Sequence, residues 1–325
     1  MTAKEEQGAG LGAPEWFEKA IAHPFTEHVV TVEGCNINYL RWLAPIESPG
    51  EGPGERPGER PGERPGLLFV HGGGAHARWW QFIAPFFSAE FDCAAIDLSG
   101  MGESGFRETY SSDQRAREVR AVMAEAGFRD NAYVVGHSLG GFIGIRFGAM
   151  FGDEVDGVVI VDSPISRPEA PPLEPPPRLG PHKVYPTFEQ AHARFRVLPT
   201  QPCENSYVLD FIARHSLRQV DGGWQWKFDY SGMGPQRFGE SYRRQLQQLK
   251  CRGALMYGEK SALVDADTAA YMSQLMGPQA PIVAIPGAYH HVMLDQPLAF
   301  VAGLRAILAG WRRSPFQCGT NPGDS

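Results

Sequence analysis

The sequence predicts an α/β fold in which helices cover both faces of a mostly parallel sheet. From Leu67 onward, short apolar runs alternate with helix-like segments, and the links between them are short. Such alternation is typical of parallel strands, because each strand returns to the same end of the sheet through a crossover. The alternation stops at Pro164 and resumes near Cys251, so the pattern also predicts an insertion within the core.

Local residue patterns predict the individual elements. A pair of strands is expected at the start of the sheet, at residues 29–32 and 37–42. The later strands are short apolar runs at residues 67–70, 93–96, 132–135, 158–161, 254–257 and 282–285. Helices are expected at residues 77–87, 113–126, 139–151, 266–275 and 297–311.

The same patterns divide the chain into parts. We expect a core formed by residues 14–163 and 251–313, and an insertion of mostly helical sequence at residues 164–250. The insertion should cap the carboxyl edge of the sheet, where open α/β sheets bind ligands. Residues 50–66 carry a Pro-Gly-Glu-Arg repeat that cannot bury a core, so a mobile surface loop is expected there. The ends, residues 1–13 and 314–325, are expected to be flexible.

Composition excludes several classes of protein. With 42% hydrophobic and 21% charged residues and a net charge of −7, the chain is typical of a soluble globular protein and not of a nucleic-acid binder. No apolar run approaches the roughly 20 residues that span a bilayer, and residues 1–10 lack the apolar stretch of a signal peptide. The five cysteines are scattered without CxxC spacing, so neither a disulfide framework nor a zinc site is expected. These features favour a cytoplasmic protein; they leave its oligomeric state open.

Residues 136–141, Gly-His-Ser-Leu-Gly-Gly, form the most informative motif. They lie between a predicted strand and a predicted helix, with Ser138 at the apex of the turn. A nucleophile elbow requires this arrangement, and small residues must flank its strained serine. The alternative is an ordinary serine that caps the following helix.

A second glycine-rich segment, His71-Gly72-Gly73-Gly74, follows the predicted strand at residues 67–70. Consecutive glycines leave backbone N–H groups unshielded, and two such donors stabilise the oxyanion of a tetrahedral intermediate. We expect the Gly73 and Leu139 N–H groups to be these donors. A phosphate-binding loop would end in Gly-Lys-Ser/Thr, which is absent here.

The candidate base follows the last predicted strand, in Pro286-Gly287-Ala288-Tyr289-His290-His291. We favour His290 as the base, with His291 packing or orienting nearby. His137 also lies beside the expected site, where it either contacts substrate or makes a structural hydrogen bond. His71 is expected to make a structural hydrogen bond. The order of serine, acid and histidine along the chain is the one that this architecture requires.

From about Leu67 to Trp311, omitting the insertion, the sequence resembles the α/β-hydrolase superfamily. The resemblance rests on residues 71–74, on Asp97-Leu98-Ser99-Gly100-Met101-Gly102-Glu103-Ser104, on residues 136–141 and on residues 287–290. It implies an eight-stranded sheet, a mobile or helical cap inserted after the sixth strand, and a Ser-His-Asp mechanism that uses no cofactor. No metal is expected in the site.

One position departs from the common pattern of that superfamily. Many members place the acid as Gly-x-x-Asp after the strand predicted here at residues 254–257, but this chain has Ser261 at that place. A subgroup of small capped esterases looks similar and takes its acid from the end of the preceding core strand, where this chain offers Asp162. Asp265 is the second candidate, while Asp295 and Glu259 are weaker ones.

These residues lead to a functional hypothesis: hydrolysis of a small apolar carboxylic ester by Ser138, His290 and Asp162. Trp79, Trp80 and the aromatic residues of the insertion are candidates for an apolar substrate pocket. Carbon–carbon bond hydrolysis and cofactor-free perhydrolase activity use the same triad and remain open. A non-catalytic ligand-binding protein is the alternative from another class, because a fold does not determine a function.

Overall fold

The computed structural model describes residues 12–42, 64–128, 131–169, 183–233 and 242–313. Its strands are β1 (Thr26–Val32), β2 (Cys35–Trp42), β3 (Gly66–Val70), β4 (Asp92–Ile96), β5 (Tyr133–His137), β6 (Gly157–Val161), β7 (Leu217–Val220), β8 (Gly223–Trp226), β9 (Arg252–Gly258) and β10 (Ile282–Ile285). The α-helices are α1 (Glu15–Ile21), α2 (Ser112–Glu125), α3 (Leu139–Phe151), α4 (Phe188–His192), α5 (Ser206–His215), α6 (Tyr242–Gln247), α7 (Ala266–Met276), α8 (Val292–Asp295) and α9 (Pro297–Arg313).

Eight strands form one sheet in the order β1-β2-β4-β3-β5-β6-β9-β10. The pairs β1–β2 and β2–β4 are antiparallel, and every later pair is parallel. The expected mostly parallel, eight-stranded sheet is therefore confirmed. Because β3, β5, β6, β9 and β10 run in the same direction, the loops that follow them all emerge at one edge of the sheet.

Alternate side chains of the central strands supply the two halves of the core. Leu67 and Phe69 of β3 pack on one face with helix α9, whereas Leu68 and Val70 pack on the other face with α2 and α3. All five residues of β3, of β5 and of β6 are buried. This burial on both faces explains why the sequence shows continuous apolar runs here instead of alternating ones.

The segment at residues 77–87 differs from its prediction. Instead of one α-helix, it forms two 3₁₀ turns, Ala77–Trp80 and Ala84–Phe86. Its backbone hydrogen bonds close after three residues, as from the Ile83 N–H to the Trp80 oxygen at 3.0 Å. Pro85 has no N–H to donate, so a regular α-helical ladder cannot run through this segment.

The insertion holds a β-hairpin as well as helices, so the expectation of a mostly helical cap holds only in part. Strands β7 and β8 pair antiparallel, and Gly222 and Gly223 turn the chain between them with φ angles of 83° and 146°. Asp221-Gly222 is a turn signal that the sequence analysis passed over. The hairpin adjoins the core, because the Gly102 N–H donates to the Lys227 oxygen at 2.8 Å.

Three expectations fall largely outside the described residues: the mobile loop at residues 50–66, of which only residues 64–66 are described, and the flexible ends at residues 1–13 and 314–325, of which only residues 12–13 are described. Among the helices that are described, none has both the length and the apolar character needed to cross a membrane.

Candidate active site

Ser138 occupies a strained turn between β5 and α3. Its backbone angles are φ 52° and ψ −116°, which a residue with a side chain rarely adopts. Neighbouring glycines are required because the turn packs against backbone atoms: a Cβ on Gly136 would lie 2.1 Å from the Gly140 oxygen, and one on Gly140 would lie 2.2 Å from the Val70 oxygen. The Ser138 N–H donates to the Val161 oxygen at 2.9 Å, which ties the turn to β6. This is the geometry of a nucleophile elbow.

His290 and Asp162 meet at the same edge of the sheet. Asp162 directly follows β6 and is fully buried, and one of its carboxylate oxygens, Oδ1, lies 2.8 Å from His290 Nδ1. Because the carboxylate can only accept, we assign the proton of this bond to Nδ1, which leaves the lone pair of Nε2 available. The His290 ring lies 4.8 Å from the ring of His137, the neighbour of Ser138. The structure therefore shows the imidazole–carboxylate pair directly, and it places this pair at the same edge of the sheet as the Ser138 turn.

Ser261 helps to hold the Asp162 carboxylate. Its hydroxyl donates to Asp162 Oδ1 at 2.7 Å, and the Gly258 N–H donates to Oδ2 at 2.9 Å. Ser261 Oγ in turn accepts from the backbone N–H groups of Leu263 (3.1 Å) and Val264 (3.3 Å), so its own proton is directed at the carboxylate. The sequence analysis noted Ser261 only as a missing acid; the Gly-x-x-Ser spacing was the signal of this contact.

The other candidate acids have different partners. Asp265 is exposed and caps helix α7 by accepting from the Thr268 N–H at 2.8 Å. Glu259 accepts from a backbone N–H at 2.8 Å, and Asp295 accepts from the Tyr289 N–H at 2.8 Å. Burial raises the pKa of Asp295 to about 6. In the described part of the chain, none of these three carboxylates hydrogen-bonds to His290.

His71 orients the glycine-rich loop beside Ser138. Its Nε2 accepts from the Leu98 N–H at 3.1 Å, so its Nδ1 carries the proton and donates to the Gly72 oxygen at 2.7 Å. Burial lowers the pKa of His71 to about 4, which keeps this ring neutral. In a trans peptide the C=O and N–H point in opposite directions, so the Gly73 N–H is turned away from His71.

The second expected oxyanion donor lies at the start of a helix. Leu139 is the first residue of α3, and its N–H has no acceptor within the helix. Gly72 packs close to the elbow, since a Cβ at that position would lie 3.3 Å from Ser138 Cβ. Two amide-bearing segments, the Gly72-Gly73 loop and the first turn of α3, therefore flank the serine.

The expected substrate contacts do not all face this site. Trp80 is buried in the core, where it stacks on Phe69 at 4.9 Å, so the structure gives it a packing role. His137 is also buried, and its Nε2 lies 3.0 Å from the His290 oxygen, which ties the elbow to the histidine loop. Trp79 also reaches that loop, with its ring 5.4 Å from the ring of His291. Burial, with the neighbouring His290 second, holds the pKa of both His137 and His291 well below the usual range.

Comparison with known proteins agrees with this geometry. The profile described as "Alpha/beta hydrolase family" matches residues 67–304, which include the elbow, the glycine-rich loop and His290. The chain belongs to the alpha/beta hydrolase family. Its relatives include proteins that are named as esterases and as other hydrolases.

Two curated members of the family align with most of the chain. Esterase Rv0045c of Mycobacterium tuberculosis is 26% identical over 252 residues, which cover 74% of this chain and 82% of that protein. The 2-(acetamidomethylene)succinate hydrolase of Mesorhizobium japonicum is 28% identical over 239 residues, which cover 70% of this chain and 81% of that protein. A crystal structure of E-2-(acetamidomethylene)succinate hydrolase superposes with a TM-score of 0.69 at 20% identity, covering 88% of this chain and all of that one. This last likeness concerns the fold.

Proposed function

We propose that this protein is a serine hydrolase that cleaves carboxylic esters through an acyl-enzyme intermediate. The observation that carries the proposal is the 2.8 Å contact between His290 Nδ1 and the buried Asp162 carboxylate, at the edge where Ser138 occupies its strained turn. A relative named as an esterase supports the choice of an ester substrate.

The proposed first half-reaction forms the acyl-enzyme. Ser138 Oγ attacks the carbonyl carbon of the ester while its proton passes to His290 Nε2, and the carbonyl electron pair moves onto oxygen. The Gly73 and Leu139 N–H groups donate to this oxyanion. Such donors contribute roughly 3–4 kcal/mol each to stabilising the transition state in serine hydrolases. When the intermediate collapses, the C–O bond to the alcohol breaks and His290 returns the proton to the leaving oxygen.

The second half-reaction repeats these steps with water. His290 Nε2 takes a proton as water attacks the acyl carbon, and the second tetrahedral intermediate then releases the acid and restores Ser138. Throughout, Asp162 holds the Nδ1–H tautomer and stabilises the imidazolium that forms twice in each turnover. Gly258 and Ser261 contribute by fixing the carboxylate. We propose a small apolar ester as substrate, with Trp79 at the edge of the pocket.

A fluorophosphonate probe tests the nucleophile. Such a probe phosphonylates an activated serine, so the intact protein should gain the mass of one label. Ser138→Ala should gain none, whereas Ser206→Ala, which changes an exposed serine on α5, should label like the wild type. Labelling that persists in Ser138→Ala would show that another residue is the nucleophile, and absence of labelling in the wild type would favour the ligand-binding alternative.

A panel of p-nitrophenyl esters of increasing acyl length tests the substrate class. We expect turnover of short and medium esters that is lost in Ser138→Ala. A protein that labels at Ser138 yet cleaves none of these esters would instead favour the carbon–carbon hydrolase or perhydrolase alternatives, which use the same residues.

A further inference from the structure

Three histidines are gathered beside the nucleophile, although the proposed reaction uses only one of them. His137 comes from the elbow, and His290 and His291 come from the loop after β10. Their rings lie 4.7–5.3 Å apart, and one ring nitrogen from each lies within 4.8 Å of the other two. The three residues are 1%, 2% and 4% exposed, respectively, so water solvates them little. Because His137 and His290 are 153 residues apart, sequence spacing did not reveal the group.

His291 is the member that packing does not explain. Neither its Nδ1 nor its Nε2 makes a hydrogen bond, although both atoms are buried. The Leu198 oxygen is the polar group facing the ring, and it lies outside hydrogen-bond geometry. A buried polar group without a partner destabilises a fold, and an apolar ring packed against Trp79 would avoid this cost. An unpartnered, buried imidazole in contact with two others points to a ligand.

The donor set determines the class of that ligand. Neutral imidazole nitrogens bind Zn²⁺, Ni²⁺ and Cu²⁺ well, whereas Mg²⁺ and Ca²⁺ prefer oxygen ligands. Zn–N bonds of about 2.0–2.1 Å place the nitrogens of a tetrahedral site about 3.4 Å apart. The nitrogens of the group are at most 4.8 Å apart, so metal binding needs them to approach by about 1.4 Å or less.

We propose that His137, His290 and His291 bind a divalent transition cation such as Zn²⁺, and that the bound cation inhibits the enzyme. Inhibition follows because the cation occupies the His290 lone pair that must accept the proton of Ser138. A fourth coordination position remains for water. The inhibition rests on the proposed function, whereas the binding does not.

Calorimetric titration with ZnCl₂ on the full chain, freed of metal with a chelator, tests the binding without any turnover. We expect one saturable site per chain, and at least about tenfold weaker binding in both His291→Gln and His291→Phe. The phenylalanine variant keeps a ring of similar volume beside Trp79, so weaker binding by this variant cannot be attributed to lost packing. His28→Gln, which changes a partly exposed histidine on β1, should bind like the wild type, and MgCl₂ should not bind at the site.

Ester hydrolysis measured with and without ZnCl₂ tests the inhibition. We expect that Zn²⁺ abolishes wild-type turnover and that a chelator restores it. Each His291 variant should need at least about tenfold more Zn²⁺ than the wild type to lose half of its own metal-free turnover. Equal Zn²⁺ affinity in the wild type and the His291 variants would overturn the proposal, as would a loss of affinity in His28→Gln. If binding depends on His291 but no ester is hydrolysed at any metal concentration, the site stands and the proposed function fails.

Discussion

Replacing Asp162 by asparagine tests the assignment of the acid. The side chain keeps its size, but an amide has one acceptor oxygen in place of two. The Gly258 N–H at 2.9 Å is buried and fixed, and it requires an acceptor at the Oδ2 position. Leaving that N–H unpaired would destabilise the protein by roughly 1–3 kcal/mol, so the amide oxygen should turn toward Gly258.

In that orientation the amide NH₂ group faces His290 Nδ1. Two donors cannot face each other, so the imidazole changes to the tautomer that carries its proton on Nε2. This nitrogen then cannot accept the proton of Ser138. We therefore expect kcat to fall on the order of 10⁴-fold, which corresponds to about 5.4 kcal/mol of lost transition-state stabilisation. KM should change much less, because the acid does not touch the substrate.

Asp265→Asn is the matched control. Asp265 caps helix α7, and asparagine caps helices as well as aspartate does, so kcat and the melting temperature should stay close to wild type. The assay is steady-state hydrolysis of a p-nitrophenyl ester, with melting temperatures measured for all three proteins. A mild effect of Asp162→Asn together with a severe effect of Asp265→Asn would refute the reasoning and place the acid after β9.

Three further predictions concern Ser261 and Asp295. Ser261→Ala removes a hydrogen bond to a buried carboxylate, so kcat should fall about tenfold at unchanged KM. In the Asp162→Ser variant, adding Ser261→Asp should raise kcat at least about tenfold. No rise in kcat would mean that position 261 cannot present a carboxylate to His290. The pKa of Asp295 is about 6 in the folded protein, above the value of about 3.9 expected in the unfolded chain. Between these two values the folded protein binds more protons than the unfolded chain. The free energy of unfolding should therefore decrease as the pH rises from about 4 to 6. Asp295→Asn should remove that part of the slope in denaturant melts measured across this pH range, and an unchanged slope would mean that another group produces it.

The sequence predicted the parts of this fold that local patterns determine. Apolar runs such as residues 67–70 and 158–161 became central strands because burial on both faces requires continuous apolar side chains. The elbow was also predicted from local sequence, because a serine in a tight turn between a strand and a helix needs small neighbours on both sides. Where geometry depended on a single residue, prediction failed: Pro85 prevented the α-helix expected at residues 77–87, and Gly222 allowed a hairpin within an insertion expected to be mostly helical.

Two polar features of the site, the Ser261 contact and the group of three histidines, were missed for a different reason, because they join distant segments. The hydroxyl of Ser261 reaches a carboxylate 99 residues earlier in the chain, and the three histidines meet across 153 residues. No local pattern encodes these distances. They follow from the order of strands in the sheet, which the alternation of strands and helices does not determine by itself.

That order also explains why an acid can stand at either of two positions in this architecture. Strands β6 and β9 are parallel neighbours in register, with Val161 opposite Met256, and the Asp162 N–H donates to the Met256 oxygen at 2.9 Å. The loops that follow the two strands therefore emerge side by side, and their side chains at positions 162 and 261 touch at 2.7 Å. A carboxylate on either loop comes within reach of one imidazole. The strained φ of 48° at Asp162 is consistent with a backbone held in place to present the carboxylate. The Gly-x-x-Asp pattern identifies only the loop after β9, although the loop after β6 can supply the acid as well.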